Sequence, residues 1–216
     1  MGATGDPYPL LIVAIAVFLV PFLVVALTSF IKIAVVLFIV RSALAVQQTP
    51  PNLVLYAISL VLTAYVMLPV GAGIAAAFDG TGPDTTSLGD ISNAAIAAST
   101  PLRDFVGKFA EPEQRAFFFQ AASELWPPEV REGVQENDLI ILVPAFMTSE
   151  LTRAFEIGVL LYLPFIVIDL LITNILTAMG MMMVSPMVIS LPFKLLLFVS
   201  VDGWTRLTHG LVLSYI

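Results

Sequence analysis

The chain has 216 residues, of which 59% are hydrophobic and 12% charged, with a net charge of −7 and a mean hydropathy of +0.99. So little charge, against about 25% in an ordinary soluble domain, excludes a soluble globule, and the composition also excludes disordered, collagenous and disulfide-rich classes. With no cysteine and a single histidine, His209, an integral membrane protein without metal or cofactor is expected, and the acidic balance argues against a nucleic-acid partner.

Residues 1–11 carry no Lys or Arg, and Asp6 has the wrong sign for a signal peptide. The apolar run that follows is therefore read as a retained span. Residues 10–31 hold no charge; Lys32 interrupts, and apolar character resumes to Val40. A span needs about 20 residues, so a long helix is expected, kinked at Pro21. Thr49-Pro50-Pro51-Asn52 stops it and restarts the chain. Residues 53–78 are uncharged and read as a second helix, ending in Gly71, Gly73, Ala75 and Ala77, small residues that admit a close neighbour. Lys32 and Arg41 flank the turn region, which the positive-inside rule places in the cytoplasm, leaving the following segment outside.

Residues 79–137 differ: ten acidic side chains face four basic ones. Two modest helices are expected, Ser87 to Ala110 and Glu113 to Leu125, with Pro112 in a first turn and Trp126-Pro127-Pro128 as a stop. Phe117, Phe118 and Phe119 with Leu125 and Trp126 read as the packing face rather than a ligand site. From Asp138 the chain turns apolar again. Leu139 to Phe146 leads into a charged turn, Glu150, Arg153 and Glu156. Residues 157–201 then hold two charges only, Asp169 and Lys194. That length allows two helices, broken around Gly180, Ser185 and Pro186, with the last running from Met187 to the C-terminus. The fold class is all-α: a hydrophobic helical hairpin (1–78), an acidic soluble helical insertion (79–137), and a second hydrophobic hairpin (138–216).

A lone charge at bilayer depth costs about 2.5–3.5 kcal/mol. Asp169 and Lys194 have opposite signs and lie on consecutive helices, about 17 and 21 Å from the break at 1.5 Å per residue. An antiparallel hairpin sets them side by side, as a buried charge pair fixing register or as a proton relay. Lys194→Ala is expected to cost assembly severely, and the charge swap to restore it partly. Met179-Gly180-Met181-Met182-Met183 is the second constellation. Methionine is flexible and fills irregular gaps. Three in a row cannot share one helix face and suit a turn, as core filling or as thioethers aimed into one narrow space. No nucleophile–base arrangement, Walker loop, dinucleotide fingerprint or zinc spacing is present.

Thr28-Ser29-Phe30, Arg41-Ser42-Ala43-Leu44, Gln47-Gln48-Thr49-Pro50-Pro51-Asn52 and Met67-Leu68-Pro69-Val70 resemble the first hairpin of a known family. Leu142-Val143-Pro144-Ala145-Phe146, Ser149-Glu150-Leu151, Pro164-Phe165 with Asp169, the methionine run, Leu191-Pro192-Phe193-Lys194 and Asp202-Gly203-Trp204 resemble the rest. The chain is similar to the export-gate subunit of type III secretion systems, the FliP/SctR family, and more to its injectisome branch than to the flagellar one. The resemblance implies a helical pentameric ring joined by SctS and SctT, working beside SctU, SctV and the basal-body rings of the inner membrane. Unfolded secreted proteins pass through its pore. It also implies a pore gasket of Met181, Met182 and Met183, a buried pair of Asp169 and Lys194, and no catalytic residue; close helix packing at Gly71, Gly73 and Gly180 is expected from the small residues themselves, the alternative for the first two being a frayed helix end. The competing readings are a small secondary transporter with Asp169 as proton site, which would need more polar intramembrane groups, and a membrane-embedded enzyme, which lacks candidate groups.

Overall fold

The computed structural model describes residues 18, 21–46, 49–79, 88–181 and 183–216. Every element among them is a helix: α1 (Pro21–Leu27), α2 (Phe30–Ala43), α3 (Asn52–Asp79), α4 (Leu88–Phe109), α5 (Pro112–Leu125), α6 (Pro128–Arg131), α7 (Leu139–Ala178), α8 (Pro186–Ser200) and α9 (Gly203–Leu213). Pro112 and Pro186 stand in the first turns of α5 and α8, where a missing N–H has no intrahelical partner to lose. Two helices, Asn52–Ala77 and Leu139–Ala178, are long and apolar enough to cross a membrane. The bent pairs α1–α2 and α8–α9 raise the number to four if each pair is one span.

Helix α2 is the hub. Ile33, Val36, Leu37 and Val40 are buried, and they pack with Leu142, Ala145 and Phe146 of α7. Val106 and Phe109 of α4 and Leu207, Leu211 and Tyr215 near the C-terminus complete the same core. The acidic segment therefore contributes to the packing of both apolar hairpins. Phe118 is the partly buried member of its aromatic triplet; Phe117, Phe119 and Leu125 are exposed, against expectation.

Three boundaries differ from the sequence reading. The first long helix, whose expected kink at Pro21 falls where the preceding residues lie outside the described ones, breaks at Thr28–Ser29, with an 83° bend. There the Thr28 hydroxyl bonds the Val24 carbonyl and accepts from the Phe30 N–H at 3.3 Å, giving the interrupted backbone local partners. The expected turn at Glu150, Arg153 and Glu156 is continuous helix, because Glu150 and Arg153 find partners on other elements and need no loop to reach water. The last helix bends by 59° between α8 and α9. Asp202 takes the left-handed conformation there, φ 55°, which Asp tolerates better than most side chains.

Helix α7 has 40 residues, about 60 Å at 1.5 Å per residue and twice the ~30 Å hydrocarbon core. Its first half is buried on one side at Ile141, Leu142, Ala145, Phe146, Ser149, Glu150, Ala154 and Gly158. Gly158 sits directly against Ile39. A Cβ there would meet Ile39 Cγ2 at 3.0 Å and Cβ at 3.3 Å, so turning the far methyl of Ile39 does not relieve the contact. Gly71 has nothing within 4 Å. Gly158→Ala is expected to lower the melting temperature in detergent. The overpacking cost, about 1–3 kcal/mol, exceeds the ~1 kcal/mol that alanine gains inside a helix. Gly71→Ala is expected to raise it. The same shift for both variants would remove the close contact of α2 with α7.

Candidate functional site

Lys32 lies on α2 and Glu150 on α7, and both are fully buried, with Nζ and Oε1 3.3 Å apart. The Lys32 ammonium stands 3.6 Å above the ring of Tyr215, a cation–π placement. The Tyr215 hydroxyl donates to Glu150 Oε2 and to the Ser29 carbonyl at 3.4 Å. Arg153, one turn on, lies 3.7 Å from Glu150 Oε1 and donates to Glu111 Oε1 at 3.2 Å. Ser149 accepts from the Glu111 N–H at 2.9 Å and donates to the Ala145 carbonyl at 2.7 Å. One carboxylate thus gathers α2, the α4–α5 junction, α7 and the C-terminal Tyr215. Lys108 adds a bond to the Ile216 carbonyl at 3.2 Å. Lys32, read from sequence as a charge beside the turn, is an interior group. The signal that points there is the small-residue series Ala145, Ser149, Ala154 and Gly158, which marks α7 as a close-packed helix through the charges.

Asp169 and Lys194 do meet. Lys194 Nζ is 2.6 Å from Asp169 Oδ2 and donates to the Ala43 carbonyl at 3.1 Å. Ala43 is the last residue of α2, where carbonyls lack intrahelical partners and the dipole favours a cation. Ser190 donates to Asp169 Oδ1 at 2.6 Å. The expected burial holds for one partner only. The Lys194 side chain is 3% exposed and that of Asp169 40%, since Asp169 looks into a cavity of about 470 Å³ lined also by Arg41, Asn52 and Tyr162.

The methionine segment is the exit of α7. The Met181 N–H donates to the Leu176 carbonyl at 2.9 Å and the Gly180 N–H to that of Thr177 at 3.0 Å, while Gly180 has φ +73°. This pair of bonds is a Schellman ending, with glycine where a Cβ is penalised. Gly180 serves conformation and has no neighbour within 4 Å of a Cβ position; Gly71 has none either. Gly73 alone of the three packs closely, 3.0 Å from the Pro101 ring of α4. Met179, Met181 and Met183 are exposed, and Met182 lies outside the described residues. Among those residues no group of His, Asp and Glu could hold a metal ion.

Residues 12–211 match the model of the FliP family. The chain is 53% identical to the probable translocation protein y4yL of Sinorhizobium fredii, over 95% of this chain and 93% of that protein. It is 50% identical to Yop proteins translocation protein R of Yersinia pestis, over 97% of each. It is 46% identical to the hypersensitivity response secretion protein HrcR of Ralstonia nicotianae, over 95% of this chain and 96% of that one.

Proposed function

The chain belongs to the FliP family, in its type III secretion branch, and from that premise we propose that it is a core subunit of the export gate through which unfolded proteins cross the bacterial inner membrane. Its partners are further copies of itself and the SctS, SctT, SctU and SctV subunits within the basal-body rings, and the 79–137 segment faces the periplasm. The observation that carries this reading is uncovered apolar surface. Leu160, Val167, Leu170, Leu171, Val188 and Leu196, all more than half exposed, line the α7–α8 hairpin on several sides. Exposed apolar side chains on α7 run from Ile140 to Ile175, about 52 Å at 1.5 Å per residue and longer than the ~30 Å hydrocarbon core, so sibling subunits are the natural cover for what lipid does not reach. The transporter alternative finds less support, because both oxygens of Asp169 are engaged by Lys194 and Ser190.

The test is native mass in mild detergent, with the chain purified alone and together with SctS and SctT. A pentamer that takes up the small subunits is the expected result. A monomer indifferent to them overturns the reading. The methionine turn supplies the gate in this scheme: flexible thioethers from several copies close around an empty pore and yield to a passing chain. Changing Met181, Met182 and Met183 together to alanine is expected to raise ion conductance of the closed assembly in planar bilayers. Unaltered conductance in assembled complexes rejects the gasket.

A further inference from the structure

Helix α7 presents two unlike faces at one level. Leu151, Thr152, Phe155, Glu156, Val159 and Leu160 form an open face, apolar except for Thr152 and Glu156. Ile157, Leu161, Pro164 and Phe165 look the other way, into a cavity of about 540 Å³ at the α8–α9 bend. At 3.6 residues per turn the centres of the two faces lie roughly 180° apart. The cavity is walled otherwise by apolar groups such as Phe198 and Leu207, and its charged member is Arg206.

Charge accounting joins the faces. Residues 156–216 contain five charged side chains: Glu156, Asp169, Lys194, Asp202 and Arg206. Asp169 and Lys194 pair with each other, and Asp202 accepts from the Thr205 hydroxyl at 3.0 Å. Glu156 and Arg206 are exposed and, among the described residues, make no side-chain hydrogen bond or ion pair. They have opposite signs, each sits in an apolar surround, and their faces point apart, so one chain cannot satisfy both.

We propose that copies of this chain meet head to tail, with the α7 face around Glu156 of one copy seated in the α8–α9 notch of the next and Glu156 paired with Arg206 of that neighbour. Two different, mutually complementary faces on one chain make a heterologous contact, which repeats into a ring or a helix rather than stopping at a dimer. The inference rests on the reading that the chain self-assembles and names the surface through which it does so.

The chain has no cysteine, so cross-linking starts from a silent background. E156C and R206C are made singly and together, and the assembled complex is treated with a short bismaleimide. That reagent spans a Glu–Arg contact, whereas a direct disulfide, limited to a Cα separation of about 7 Å, does not. The double variant is expected to give a ladder of dimer, trimer and higher bands. Co-expressed single variants should give dimers alone, and each single variant alone nothing. E156R or R206E is expected to lower the oligomer fraction several-fold, with recovery in E156R/R206E. Native mass of the untreated variants separates the failures. An oligomer without a ladder overturns this interface and leaves the export-gate reading standing; no oligomer overturns both. Dimers from a single variant, or a cross-link from R206C to another subunit in place of this chain, also overturn the proposal.

Discussion

Glu150→Ala is expected to be the most damaging single substitution outside the turns. It removes one buried charge and strands another: Lys32, 1% exposed, would keep only the rings of Tyr215 and Phe109, and Tyr215 would lose its carboxylate acceptor. Breaking a buried pair costs about 3–5 kcal/mol, a large share of a typical total of about 5–15 kcal/mol. The measurement is thermal unfolding in detergent, followed by helix content. Tyr215→Phe loses one bond to a charged acceptor, about 1.5–3 kcal/mol, and should fall between Glu150→Ala and the native chain. The decisive variant is K32M/E150L, which stays informative even if Glu150→Ala yields little folded protein. Apolar groups of similar volume then replace both charges, Tyr215 keeps the Ser29 carbonyl, and most stability should return. A double variant as poor as Glu150→Ala would mean that the pair is not the cause.

The second large effect concerns Asp169, and it reverses an expectation from sequence. Asp169→Ala leaves Lys194 buried with the Ala43 carbonyl as its remaining partner, at a cost of about 2–3 kcal/mol. Lys194→Met removes the buried charge itself and leaves Asp169 half-open to its cavity with Ser190 still bonded. The aspartate variant should therefore be the less stable of the two in detergent. The charge swap should not rescue, because a carboxylate at position 194 would face the Ala43 carbonyl and donate nothing to it. Equal melting temperatures for the two single variants, or full recovery by the swap, would contradict this asymmetry.

Local chemistry made the helix limits readable. Pro51, Pro112, Pro186 and Gly180 act within a turn of their own positions, and the ends of α3, α5, α7 and α8 fall within a residue or two of where those residues put them. The meeting of Asp169 and Lys194 was equally legible, because an antiparallel hairpin converts sequence distance from one turn into spatial level. The Lys32–Glu150 pair was not. Its members are 118 residues apart, on helices brought together by burial of Val36, Leu37 and Phe146, and no local period reports such a contact. Charge in an apolar stretch was read as a turn because a single sequence does not show whether a carboxylate meets water or a partner. The bend at Asp202-Gly203 had a turn signal that the surrounding apolar run overrode.

Burial of Lys32 by a residue so far downstream has a consequence in time. At a synthesis rate of about 5–20 residues per second, the 118 residues between the two take about 6–24 s to appear. Throughout that interval the Lys32 ammonium lacks the carboxylate that it meets in the folded chain. The nascent chain therefore presents two positive charges around its first turn, and the finished chain presents one. The positive-inside rule reads the first charge map and packing the second, so under that rule a single lysine counts toward orientation during synthesis and is an internal staple afterwards.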